Sequence, residues 1–187
     1  MTYSATSLNI QRALKAGLVL HTPVYDLPEA RRFILVPPEV ELEMTGQAAA
    51  SVDFPARAGA GLIANFLLGN ALRVSQKRRE RVSFLRKREQ PDLERLESMD
   101  EIWVLCFRSP GAGWRLAGRF LERDALVIFR VFHKNDIGNN YGPIAEEVTE
   151  KWQTKFGTQP PCQGNWIDGY LSGAHYDVDG KKNIGGV

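Results

Sequence analysis

Two groups of side chains stand out for the chemistry they could do. From Arg73 to Arg88 the chain holds Arg73, Lys77, Arg78, Arg79, Arg81, Arg86, Lys87 and Arg88 against a single acid, Glu80. Eight basic residues less one acidic residue gives +7 over this stretch, in a protein whose whole formal charge is only +2. That concentration exceeds what solubility needs. It suits a polyanionic partner: nucleic acid, a ribosome or an acidic protein segment. The plain alternative is a solvated helix face. The second group lies at predicted strand ends and comprises Arg108, Arg115 and the adjacent pair His133 and Lys134. Guanidinium and ammonium groups stabilise charge on a phosphate, and an imidazole can move protons near neutral pH. Function concentrates at loops and strand ends. The competing reading of Arg115 is an outward row shared with Ala117 and Arg119.

Other chemistries find less support. Cys106 and Cys162 are the only two cysteines, too few for a disulfide framework or a zinc site, so a reducing cytoplasm is the expectation. Asp168, Asp177 and Asp179 lack the spacing and closing glutamate of a calcium loop. Gly111-Ala112-Gly113 sits between two strands and not before a helix, so it is no phosphate-binding loop. No cofactor and no metal are expected. The first twenty residues carry no convincing leader, and no apolar run approaches the ~20 residues that span a bilayer.

The elements that must position these groups centre on Met99–Lys134. Glu101–Phe107, Trp114–Leu121 and Ala125–Phe132 read as three antiparallel strands, joined by turns at Ser109–Gly113 and Glu122–Asp124. The third run is nearly all apolar, which suits a central strand. Before this meander, Ser7 can cap a helix carrying Leu8, Ile10, Leu14 and Leu18. Phe33–Val36 is a short strand. Val40, Leu42 and Met44 alternate with glutamates, the pattern of a half-buried strand. A glycine-rich helix begins near Pro55 and Ala56, and a basic helix is predicted over Arg73–Arg88. Asp92 can cap a short helix through Leu96. After the meander come a loop at 135–140 and an amphipathic helix over Pro143–Phe156, stopped by Gly157. Trp166, Tyr170 and Leu171 can dock, and little fixed structure is expected beyond Ser172.

The order β-α-α-β-β-β-α, with Val40–Met44 as leading strand, resembles the RelE/HigB-like toxin superfamily of toxin–antitoxin systems, including its phage-derived HigB-type members. Three local motifs carry the resemblance. Leu96-Glu-Ser-Met-Asp-Glu-Ile-Trp-Val-Leu-Cys-Phe-Arg108 is similar to the family's entry into the sheet. Gly113-Trp114-Arg115-Leu116 is similar to its Gly-Tyr-Arg-Leu strand start, and Val131-Phe132-His133-Lys134-Asn135 to its Phe-x-Lys-Lys strand exit. The resemblance covers about Val40 to Trp152. It implies a small antiparallel sheet within an α+β domain over residues 40–157, an N-terminal extension over 1–39 and a loosely ordered tail over 158–187.

The resemblance also implies metal-independent messenger-RNA cleavage, often on the ribosome, in which the RNA's own 2′-hydroxyl attacks the adjacent phosphorus. Carried over, Arg115 takes the phosphate-clamp position, Lys134 the basic strand exit, and His133 and Tyr141 proton-moving roles, with Arg108 across the hairpin. Val104 and Cys106 stand where RelE-type members carry lysines, and Asn135 where a second basic residue is usual. The expected partners are RNA or the ribosome and an acidic antitoxin protein, with no membrane. The alternative is a non-catalytic nucleic-acid- or protein-binding module of a phage or mobile element that uses the basic helix. A third reading is a phage structural protein whose charge is only solvated.

Overall fold

A computed structural model of the chain describes residues 7–23, 27, 29–48, 54–76, 90–96, 99–108, 112–138, 140–173 and 175–178. Within them the architecture is α+β. The first helix, α1 (Leu8–Lys15), is capped by Ser7, whose Oγ accepts the Ile10 N–H at 3.2 Å. Strands β1 (Val19–Leu20) and β2 (Phe33–Val36) follow, then helices α2 (Pro38–Thr45) and α3 (Ala56–Leu67). Strands β3 (Leu72–Ser75) and β4 (Leu93–Arg95) precede the meander itself: β5 (Trp103–Cys106), β6 (Trp114–Glu122) and β7 (Ala125–His133). The chain ends with α4 (Lys134–Ile137), α5 (Gly142–Phe156), a 3₁₀ turn at Ile167–Gly169 and β8 (His175–Asp177).

All eight strands form one sheet in the order β1-β2-β7-β6-β5-β4-β3-β8. The run β4-β5-β6-β7 is antiparallel, so the predicted three-strand meander is present with one further strand. β2 lies parallel to β7, and β3 lies parallel to both β4 and β8. The sheet is therefore mixed and wider than the small antiparallel sheet expected, and β1 and β2, before residue 40, pair into it. Its two faces bury separate cores. One core joins Ile34, Leu105, Leu116, Phe120 and Leu126 to α2, α3 and the turn residues Ile167, Tyr170 and Leu171. The other joins Leu35, Val104, Ala117, Val127 and Phe129 to Ile10 of α1 and to Ile144, Val148 and Trp152 of α5. Coverage on both faces explains why β7 reads as a continuous apolar run rather than an alternating one.

Several expectations are corrected. Val40–Met44 is helical: Pro38 occupies the first turn, Glu39 and Glu41 favour a helix N-terminus, and Gly46 ends it at φ 72°. Val40 and Met44, four apart, are buried, while Leu42 is 44% exposed, which is helical and not strand periodicity. On α1 the buried residues are Ile10 and Ala13, whereas Leu8 and Leu14 face solvent. Leu93–Arg95, expected to be a helix capped by Asp92, is strand β4, because Leu93 finds partners in Val74 and Leu105. Residues 135–137 of the predicted loop, with Lys134 before them, form α4. The expectation of disorder past Ser172 gives way to β8, which pairs Leu72–Val74.

The strands are held in place by one buried arginine. Arg32 is fully buried; its Nε lies 3.4 Å from Asp124 Oδ1, Nη1 donates to the Asn70 carbonyl at 3.2 Å, and Nη2 donates to the Ser172 carbonyl. Burial lowers the Arg32 pKa, and Asp124 acts in the opposite direction. Asp124, at φ 67° in the β6–β7 turn, accepts the Ser172 N–H at 2.8 Å.

Two substitutions test this frame. Gly118 sits at a β-bulge in β6, and a Cβ there would lie 1.8 Å from the Val127 carbonyl oxygen. Gly118→Ala is expected to destabilise by about 3 kcal/mol or more, read as a lowered urea midpoint. Asp124→Asn keeps a residue that tolerates positive φ but strips Arg32 of its counter-charge; a loss of about 3 kcal/mol is expected by the same measurement.

Candidate nucleic-acid interface

The positions of the predicted residues follow from strand register. Cys106 pairs with Arg115, and Arg115 with Phe132. On the other side the Cys106 N–H donates to the Asp92 carbonyl at 2.8 Å, and the Asp92 N–H to the Arg73 carbonyl at 2.7 Å. One row thus runs Arg73, Asp92, Cys106, Arg115, Phe132 across the sheet. The adjacent row Val74, Leu93, Leu105, Leu116 and Val131 belongs to the core beneath α2 and α3. Side chains alternate along a strand, so Arg73, Asp92 and Arg115 project from the opposite face, the one that α1 and α5 partly cover. Arg108, two residues after Cys106, reaches the same group: its Nη2 pairs with Asp92 Oδ1.

The resulting cluster is ordered around Asp92. Each carboxylate oxygen has its own partner: Oδ1 takes Arg108, and Oδ2 accepts the Arg73 backbone N–H at 2.8 Å, with Arg73 Nε 3.7 Å away. Desolvation raises the Asp92 pKa, with Arg73 pulling it back. Arg115 Nη1 donates to the Trp114 carbonyl at 2.8 Å and to the Phe107 carbonyl at 3.4 Å. The Nε atoms of Arg108 and Arg115 are buried without a hydrogen-bond partner among the described residues. Cys106 Sγ lies 3.6 Å from Glu94 Oε2 on the same face.

The other predicted catalytic groups do not join this cluster. His133 pairs with Trp114, whose ring packs against the opposite core, so it stands on the far face from Arg115. Its Nδ1 accepts the Asn135 N–H at 3.3 Å, capping α4, and its Nε2 is 3.3 Å from the Ala112 carbonyl. Both ring nitrogens thus have protein partners. Gly113 is obligatory beside it: its φ is 97°, and a Cβ would lie 2.2 Å from His133 Nε2. Lys134, half-buried, opens α4 and donates its backbone N–H to the Gly113 carbonyl at 2.7 Å. Tyr141 is buried in the α5-side core, edge-on to Phe132 at 5.9 Å. Arg73 belongs to β3 and not to a basic helix. Lys77, Arg78, Arg79, Arg81, Arg86, Lys87 and Arg88 lie outside the described residues.

Sequence reasoning missed Asp92, which it placed as a helix cap. It also missed the part-buried chain Arg95–Glu101–Tyr170, in which both the Arg95 guanidinium and the Tyr170 hydroxyl donate to Glu101. Burial and the Glu101 bond raise the Tyr170 pKa and keep it a neutral donor. No local signal marks either site, since the partners come from distant segments. A small pocket on the α2–α3 side is lined by His21, Met44 and Ile63 among others, and none of the predicted site residues lines it. His21 Nδ1 pairs there with Glu41 at 2.8 Å. No helix among the described residues is long and apolar enough to cross a membrane.

Comparison of the chain with family models, with curated proteins and with solved structures finds no match. The arrangement around Asp92 yields a pH signature. Its folded pKa is raised, so the native state binds the proton more tightly than the unfolded chain does, and this group's contribution to stability falls as pH rises through its folded pKa. The stability of the wild type relative to Asp92→Asn is therefore expected to increase as pH falls through that range toward the ordinary aspartate value, then level off. Urea unfolding of both proteins across acid pH checks this.

Proposed function

We propose that this protein is an RNA-binding module that follows the phosphate backbone with the basic stretch between β3 and β4 and with the arginines of the adjoining sheet face. The observation that carries this reading is the convergence of Arg73, Arg108 and Arg115 at one end of one face. β3 and β4 are parallel neighbours. The connection between them must therefore leave one end of the strands and return at the other, and it returns at Asp92, beside these arginines. The sequence between the two strands thus rejoins the sheet beside Arg73, Arg108 and Arg115. A phosphate chain needs many cationic contacts and no deep pocket.

A second reading is the RelE/HigB-like one, a metal-independent endoribonuclease acting in the cytoplasm and covered by an acidic antitoxin. What favours it is that Arg108, Arg115, His133 and Lys134 share one end of the meander. What favours simple binding is that His133 and Arg115 project from opposite faces and that Tyr141 is buried, so among the described residues no single cavity gathers these groups as clamp and proton carrier.

The two readings separate in one set of experiments. Anisotropy titration with a labelled single-stranded RNA should show affinity falling steeply with salt. Replacing Arg78, Arg79 and Arg81 with glutamine should flatten the slope by about two, at ~0.7 per phosphate contact for single strands. Binding indifferent to salt and to this triple variant would refute the proposal. Growth arrest on expression and RNA cleavage in a translating extract, both abolished by Arg115→Ala, would select the endoribonuclease instead.

A further inference from the structure

We infer that Asp92 is a positioning residue for this RNA surface, presetting Arg73 and Arg108 as a pair of phosphate ligands; the inference rests on the RNA-binding reading. A carboxylate inside an anion-binding surface normally works against binding, because it offsets a positive charge. Here the geometry gives it a different task. Arg73 leaves β3 and Arg108 follows β5, so the strand between them, β4, must keep two like charges side by side. Asp92 stands at the start of that strand and gives one oxygen to each. Its side chain is 18% exposed, against 31% for Arg73 and 27% for Arg108, so the pairs are partly shielded from water and hold better than surface ion pairs.

The carboxylate does not exhaust its partners. A guanidinium carries five N–H donors. Asp92 takes one amino group of Arg108, whose side chain remains 27% exposed and whose buried Nε has no hydrogen-bond partner among the described residues. Arg115, one strand further on, is steadied in the same way by two carbonyls, and its Nε likewise has no hydrogen-bond partner among the described residues. Three guanidinium groups less the carboxylates of Asp92 and Glu94 leave a local charge of +1, so the strip still attracts a phosphodiester after the arginines have been fixed. Fixing them beforehand removes the entropy that long side chains otherwise lose on binding.

The test sets positioning against charge. Asp92→Asn makes the protein more positive by one unit, so charge alone calls for tighter RNA binding. Positioning calls for the reverse, an affinity about tenfold weaker, since two long side chains must now be ordered at the moment of binding. Arg108→Lys keeps the charge and loses the fork, and it should weaken binding to a similar degree. Combining Asp92→Asn with Arg108→Lys should cost little more than either alone, because both remove one arrangement. Circular dichroism melting of each variant reports folding. If Asp92→Asn does not fold, Arg108→Lys decides, with wild-type affinity overturning the inference and weakened affinity supporting it. Wild-type protein that binds RNA while folded Asp92→Asn binds equally or more tightly overturns the inference and leaves the RNA reading standing. Wild-type protein that fails to bind RNA overturns both.

Discussion

The arrangement of this molecule depends on one buried charge pair. Arg32 is removed from water completely, and an unpaired guanidinium there would be prohibitively costly. It is tolerated because three distant segments bring it partners: α3 and the turn after it through the Phe66 ring at 5.7 Å and the Asn70 carbonyl, the β6–β7 turn through Asp124, and the C-terminal segment through the Ser172 carbonyl. The main chain repeats the same convergence. The Arg31 and Arg32 N–H groups donate to the Leu67 carbonyl, Phe33 donates to the Asp124 carbonyl, and Asp124 donates to the Tyr170 carbonyl. The parallel pairing of β2 with β7 and the docking of the C-terminal segment are thus one cooperative event.

That event explains how a meander becomes a wide mixed sheet. A free hairpin set would leave the edge of β7 open. With Arg32 locked to the β6–β7 turn, β2 lies beside β7 in fixed register, Phe33 opposite Ala125. At the other side β8 covers β3, and Tyr170 and Leu171, both fully buried, press the preceding turn onto the core. Asp100 and Glu101 adopt positive φ at the entry to β5. Glu101 thereby meets Arg95 and Tyr170, a part-buried polar chain that ties this turn to the C-terminal segment.

The two faces of the sheet are not equivalent, and function follows the difference. One face is apolar along β3, β4 and β5 and is sealed by helices and the Ile167–Leu171 segment. The other is largely apolar under α1 and α5, with buried Arg119 bonded to Thr149 of α5, and carries Arg73, Asp92, Glu94, Arg108 and Arg115 at the β3–β6 side. Polar residues on a strand face away from the covering helices form a shallow charged strip. Such a strip suits an extended polyanion better than a small molecule, which needs an enclosing cavity.

Much of this was legible in the chain itself. The three meander strands, α1 with its Ser7 cap, β2, α3 and α5 with Ile144, Val148 and Trp152 spaced four apart each carry a local signal of periodicity, capping or turn chemistry, set by residues within one or two turns of each other. The concentration of basic charge was equally plain. Other elements carried no such signal. Val40–Met44 has two periodicities in conflict, and Pro38 with the Gly46 stop resolved it toward a helix. Leu93–Arg95 and His175–Asp177 are three residues each, too short to show alternation, and are strands only because partners across the sheet accept their hydrogen bonds. The face on which a residue projects is likewise a matter of register. The chain alone determined that Arg115 and His133 stand at the end of a meander. Only tertiary pairing decided that they point to opposite sides, and that Asp92 stands between Arg73 and Arg108, because register and burial are set by contacts far apart in sequence.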